Sequence, residues 1–279
     1  VKKIAKPLFL VSNVLEDCVD NLKNQVLKQE ILDSIDFFTT AESEFEDKIN
    51  GNNLYQIEQN KIISESIDST VLKSIYSDRM VNKNNKGRVY YDSIFVSAPS
   101  GKCPFCSVRL VGALDHYLPK SKYPLLSVTP INLVPSCNDC NKDKLVDTPN
   151  SREEETLHPY FDDIENFDWL KAKIITLKPI KFEYYISPPD DWTDLLKARL
   201  KHHFSAYLLN ELYSIHAIEE FENIKLQITK LFQTGGVNLL KEHILDCYKS
   251  RYSVNKNSWQ TAFYHCLYND SDFCDGNFI

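Results

Sequence analysis

The chain has 279 residues, 43% of them hydrophobic and 25% charged, enough for a real core in one large domain or two smaller ones. Its formal net charge of −7 argues against a protein that coats nucleic acid with its whole surface. No apolar run approaches the ~18 residues of a membrane span, and the start, Val1-Lys2-Lys3-Ile4, lacks a signal-peptide apolar core. The expected address is the cytoplasm, with no membrane partner.

Residues 1–97 read as an N-terminal helical region. Val14, Leu15, Cys18, Val19 and Leu22 recur at helical spacing, followed by Val26, Leu27, Ile31, Leu32 and Ile35. The acidic stretch Glu42 to Asp47 and the turn signal Asn50-Gly51-Asn52-Asn53 are expected to interrupt the pattern. Ile63, Ile67, Val71, Leu72, Ile75 and Tyr76 restore it. Asn82 to Gly87 reads as a loop, and Tyr90–Val96 as either a last helical turn or a short strand.

Residues 98–150 differ in kind, holding seven of the twelve prolines. Short apolar pieces, Val108–Leu114 and Ile131–Val134, suit strands. In residues 151–279 the helical period returns. Trp192, Leu195, Leu196, Leu200, Phe204, Tyr207 and Leu208 define one face, and Ile218, Phe221, Ile224, Ile228 and Leu231 another. Gly235-Gly236 breaks the pattern before Leu239, Leu240, Ile244 and Leu245, and Phe182–Ile186 suits a strand. The predicted fold is mainly α with a small α+β module between two helical regions.

Four of the eight cysteines form two Cys-x-x-Cys knuckles, Cys103-Pro-Phe-Cys106 and Cys137-Asn-Asp-Cys140. Each knuckle aims two thiolates at one point, and two knuckles complete the tetrahedron of a structural Zn²⁺. A redox pair is the competing reading, but nothing around Cys103 has a strand-to-helix redox setting. Cys18, Cys247, Cys266 and Cys274 are scattered and read as plain buried thiols.

Between and after the knuckles lie Leu114-Asp115-His116-Tyr117-Leu118-Pro119-Lys120-Ser121-Lys122-Tyr123-Pro124, then Asn132-Leu133-Val134-Pro135, then Asn141-Lys142-Asp143-Lys144. From Cys103 to Lys144 this resembles the HNH endonuclease family: an Asp-His dyad ending one strand, an Asn opening the next and an Asn on the following helix. The resemblance implies a ββα-metal core stapled by zinc, hydrolysing nucleic-acid phosphodiester bonds. The chemistry agrees with those residue types. A neutral imidazole near pH 7 is a natural general base, which assigns that role to His116. Asp115 and Asn141 supply the hard oxygens that Mg²⁺ or Mn²⁺ takes. By family likeness Asn132 holds the loop that orients His116, although Asn138 is as plausible a choice by residue type.

Where the family sometimes carries a second helix histidine, this chain has Leu145. His158 has two readings: it reaches back to the metal, or it is a structural histidine fixing a helix start. The segment 101–147 carries six basic side chains against four aspartates, +2 where the rest of the chain is −9. Lys120, Lys122, Lys142 and Lys144 therefore read either as solvated surface or as phosphate contacts.

The flanking text His158-Pro159-Tyr160-Phe161-Asp162 and the ending around Asn257-Ser258-Trp259-Gln260 and Phe273-Cys274-Asp275-Gly276 look like the HNH subunits of Septu-type anti-phage systems, PtuB-like. That resemblance implies a nucleic-acid substrate (DNA or RNA) and an ATPase subunit of the PtuA kind. In some systems a retron reverse transcriptase and its DNA would join them. Two other classes remain open: a stand-alone restriction-like or repair nuclease, and a non-catalytic zinc-ribbon binding module.

Overall fold

The structure, a computed structural model, describes residues 1–143 and 148–279. It forms two compact units, Val1–Asp163 and Ile164–Ile279. The expected regions 1–97 and 98–150 thus fall together in the first unit.

The first unit opens with α1 (Val11–Val19), whose buried face is Val11, Val14, Leu15, Cys18 and Val19, the spacing of an amphipathic helix. Asn24 caps α2 (Gln25–Asp33), its side chain accepting from the Leu27 N–H. Helix α3 (Ile35–Asn50) runs straight through the acidic stretch, against the expected interruption. Phe38, Ala41, Phe45 and Ile49 keep the buried period while most of the charges face outward, so composition alone misleads there. Glu42 turns partly inward and accepts from the Val11 N–H at 3.4 Å, satisfying one orphan donor at the start of α1.

Asp68 caps α4 (Ser69–Ser74) by accepting from Thr70 and Val71, so this helix starts later than Ile63. It passes directly into a π-helical turn, Ile75–Met80, burying Ile75, Tyr76 and Met80. Tyr90–Val96, compatible with helix or strand by its pattern, lies in helix α5 (Arg88–Val96).

The module's strands are β1 (Ala113–His116) and β2 (Leu133–Ser136), antiparallel, with Ala113 opposite Ser136 and His116 opposite Leu133. Both lie a few residues C-terminal of the apolar pieces that suggested them. Val108–Val111 is instead the return arm of the first knuckle, where Lys102 bridges Leu110 and Val111 donates to the Gly101 carbonyl. Pro130 sets a 3₁₀ turn over Pro130–Asn132, which delays β2. Helix α6 (Asn138–Asp143) follows and packs against β1, while α5 packs on both strands.

The second unit holds a hairpin, β3 (Leu170–Leu177) and β4 (Ile180–Ile186), covered by helices α7 (Asp194–Ala206), α8 (Leu209–Val254) and α9 (Trp259–Asn269), with α10 (Ser271–Cys274) packed on α8 and α9. The apolar pattern marks only part of β4. In β3 the run Ile174-Ile175 blurs the alternation that signals a strand, and pairing with β4 decides it. Helix α8 is two helices meeting at Gly236, whose φ of 62° and ψ of −153° only glycine adopts readily. Among the described residues no helix is long and apolar enough to cross a membrane.

Candidate functional site

Cys103 leaves the short 3₁₀ turn Pro99–Gly101, and its N–H donates to the Arg109 carbonyl at 2.8 Å while its own carbonyl accepts from Ser107 at 2.7 Å. Those bonds fold the first knuckle back on itself. Cys137 follows β2 and Cys140 lies on α6, whose N–H donates to Cys137 Sγ at 3.3 Å. An ion pair, Arg109 Nε to Asp139 Oδ2 at 2.8 Å, ties the two knuckles together.

All four thiols are buried, and their sulfurs lie within 4.8 Å of one another. Four sulfurs ≈2.3 Å from one zinc stand roughly 3.8 Å apart, so the cluster fits that ion. Hydrogen bonds from Cys106, Cys137 and Cys140 pull the Cys103 thiol below its usual range. The same bonds push the thiols of Cys106 and Cys140 above theirs, because the donors hold their protons, so loading a metal on this cluster releases protons. None of the eight cysteines is in a disulfide. Burial instead pushes the thiols of Cys18 and Cys266 up to about 12, the behaviour of inert core cysteines.

The cysteine frame presents β1 with Asp115 and His116 at its end, 5% and 8% exposed. His116 Nε2 lies 2.8 Å from the Ser127 carbonyl. A carbonyl can only accept, so Nε2 carries a proton, and in the neutral form of the ring the lone pair falls on Nδ1. The Tyr76 ring packs against the imidazole, centroids 4.4 Å apart at 73°.

Asn132 is fully buried and makes three side-chain bonds. Its Oδ1 accepts from the Leu118 N–H at 2.7 Å, and its Nδ2 donates to the carbonyls of Leu118 and Leu126, each at 3.1 Å. The loop beginning two residues after His116 is thereby pinned to the start of β2. Asn138 is occupied otherwise, its exposed side chain lying over Gly112, where a Cβ would meet Oδ1 at 2.7 Å. Asn141 is half-buried on α6, the helix that packs against the strand bearing Asp115.

His158 is fully buried in an aromatic cluster with Phe45, Tyr117, Tyr160 and Phe161, its ring 4.3 Å from that of Tyr117. Its Nδ1 accepts from the Tyr160 N–H at 3.1 Å. Turns follow it, in place of the helix start that the structural reading expects. Lys120 places Nζ 4.5 Å from the Tyr76 ring centre, and Lys122 Nζ lies 3.4 Å from Thr148 Oγ1. Lys142 is exposed, while Lys144 and Leu145 lie outside the described residues. Tyr76 is legible in the sequence only as one member of an apolar helical stripe. No sequence spacing links it to His116, forty residues on.

No protein-family model matches the chain, and no solved structure matches it. Protein ea31 of Escherichia phage lambda is 27% identical over 300 residues, covering 99% of this chain and 100% of that protein. The Septu protein PtuB of Bacillus thuringiensis is 34% identical over 85 residues, 29% of this chain and 32% of PtuB. The chain is therefore similar to a phage protein along its length and to a Septu protein over about a third of the latter.

Proposed function

We propose that this chain is a metal-dependent HNH-type endonuclease, the nuclease effector of an anti-phage complex. The observation that carries the reading is the environment of His116: a buried imidazole at a strand end, held through Nε2 by a carbonyl, beside a loop pinned by Asn132. A four-cysteine frame that fits zinc supports it, as does the partial likeness to PtuB.

In this mechanism the Ser127 carbonyl orients the ring, and Nδ1 of His116 takes a proton from water. The water oxygen bonds to phosphorus as the bond to the leaving oxygen breaks. Asp115 and the side-chain oxygen of Asn141 would hold Mg²⁺ or Mn²⁺, which when bound supplies Lewis-acid stabilisation of the charge on the phosphate and leaving oxygen. Asn132 touches no reacting atom in this scheme and keeps the histidine loop in place. His158, inside its aromatic cluster, supports the fold around Tyr117.

The partner in this reading is an ATPase subunit of the PtuA kind, with a retron reverse transcriptase and its DNA in systems that carry one. A second reading is favoured by one finding: the likeness that extends along the whole chain is to a phage protein. It makes the chain a nuclease acting outside a Septu complex. The test of the nuclease reading is cleavage of labelled DNA and RNA with Mg²⁺ or Mn²⁺. His116→Ala should lower the rate ~10²-fold or more with zinc content unchanged. Equal rates for the two proteins would overturn the base assignment, and no metal-dependent cleavage by the wild type, with or without its genomic neighbour, would leave a zinc-ribbon binding module.

A further inference from the structure

The π-helical turn Ile75–Met80 brings Tyr76 onto the end of β1, where its hydroxyl donates to the Leu114 carbonyl at 3.4 Å. The ring is 7% exposed. Two groups share it: the His116 imidazole, centroid 4.4 Å away, and the Lys120 ammonium, 4.5 Å from the ring centre. Imidazole and ammonium are thus less than about 9 Å apart, the reach of one or two neighbouring phosphates along a strand, whose charges rise by ≈3.4 Å each. Lys73 lies three residues before Tyr76, in the last turn of α4.

We propose that Lys120, set over the Tyr76 ring, and Lys73, in the last turn of the helix that leads into Tyr76, form a binding site for a phosphate of the substrate strand adjoining the one cleaved at His116, and that Tyr76 positions both the Lys120 ammonium and the imidazole. This rests on the nuclease reading. Lys120 is the stronger anchor because its backbone follows Leu118, whose N–H and carbonyl are both held by Asn132. Its ammonium sits over an aromatic face, which fixes a cation without neutralising it. Among the described residues neither Lys120 nor Lys73 has a carboxylate within ion-pair distance. Burial, and then Lys73, pulls the Lys120 ammonium below its ordinary value, with Asp78 opposing. A phosphate between the two lysines relieves both costs. Lys122, by contrast, is turned toward Thr148.

The test is a salt titration of binding to a short labelled DNA duplex, between about 50 and 200 mM salt, with every protein carrying His116→Ala to prevent cleavage. Removing one lysine–phosphate pair lowers the slope of log K against log[salt] by about 0.9. Lys120→Gln should lower it by about 0.9 and the Lys73→Gln/Lys120→Gln double variant by about 1.8. In the cleaving protein Lys120→Gln should raise KM roughly 5–10-fold and leave kcat within about twofold, the mark of binding removed equally from ground and transition states. Tyr76→Leu should lower the slope as Lys120→Gln does and also lower kcat about tenfold, with Tyr76→Phe restoring both. An unchanged slope and KM in Lys120→Gln would show that the lysine only packs on the ring, and would overturn the site while the nuclease reading stood. Wild-type cleavage by His116→Ala would instead overturn the base assignment, and no metal-dependent cleavage by the wild type would overturn the nuclease reading; in either case the slopes would still decide separately whether the two lysines bind phosphate.

Discussion

At the scale of single residues, His116 and Asn132 are expected to fail differently when replaced. Asn132 is buried and satisfies three backbone groups, one Leu118 N–H and the carbonyls of Leu118 and Leu126. Each buried group left unpaired costs about 1–3 kcal/mol. Asn132→Ala should therefore lower the unfolding free energy of the first unit by roughly 3 kcal/mol or more, and cleavage should fall with it. A urea titration showing wild-type stability would remove Asn132 from its loop-holding role. His116 is nearly buried and donates to one carbonyl, that of Ser127, so its replacement should cost less stability than that of Asn132 and leave the fold in place. Asp115→Ala and Asn141→Ala should lower cleavage ~10²-fold or more and raise the Mg²⁺ concentration needed for half-maximal rate. An unchanged metal requirement would take both out of the metal site.

At the scale of elements, the two knuckles are joined by the Arg109–Asp139 ion pair and by the convergence of the four thiols on one point. A tetrathiolate zinc contributes on the order of 10 kcal/mol to a small module's folding. Cys137→Ser should release zinc and unfold residues around β1 and β2, seen as lost solubility and increased proteolysis between Cys103 and Asn141. Zinc-free protein that stays folded and active by elemental analysis would show the cluster to be dispensable. A separate expectation belongs to α8. Gly236 holds φ 62° and ψ −153°, a region nearly closed to other residues. Gly236→Ala should destabilise the second unit by about 1–3 kcal/mol, although nothing lies within 4 Å of the added methyl. A denaturant titration with no loss would mean that the two halves of α8 tolerate another junction.

For the whole molecule the governing quantity is charge. Non-specific affinity for nucleic acid comes mainly from lysines and arginines neutralising phosphates, and a +2 segment in a chain of −7 offers few of them. At about 150 mM salt exposed charges interact over only ~8 Å, so the lysines near His116 gain little from distant ones. The isolated chain is expected to bind weakly and cleave little, and to co-purify with a larger ATPase-type subunit that supplies nucleic-acid contacts. The measurement is binding and cleavage with and without the product of the adjacent gene. Tight binding and full activity from the chain alone would refute the need for a partner without touching the nuclease reading.

Features that depend on local spacing are legible in the residues alone. Two Cys-x-x-Cys turns must each converge their sulfurs, α1 must bury Val14, Leu15, Cys18 and Val19 together, and Gly235-Gly236 must interrupt a helix. Fold class follows from the same periodicities, as mainly helical with a small strand-bearing module. Features that hang on groups distant in the chain come from the folded core. Folding puts Tyr76, from a π-helical turn, beside His116, gives the Asn132 amide to the histidine loop and Asn138 to Gly112, and encloses His158 among four aromatic rings. It also sets the proton of His116 on Nε2 through a carbonyl eleven residues away. The physical reason is that periodicity and ligand spacing are imposed by backbone geometry within a few residues. Which polar atom meets which, across tens of residues, is selected only when the whole core closes and every buried donor needs an acceptor.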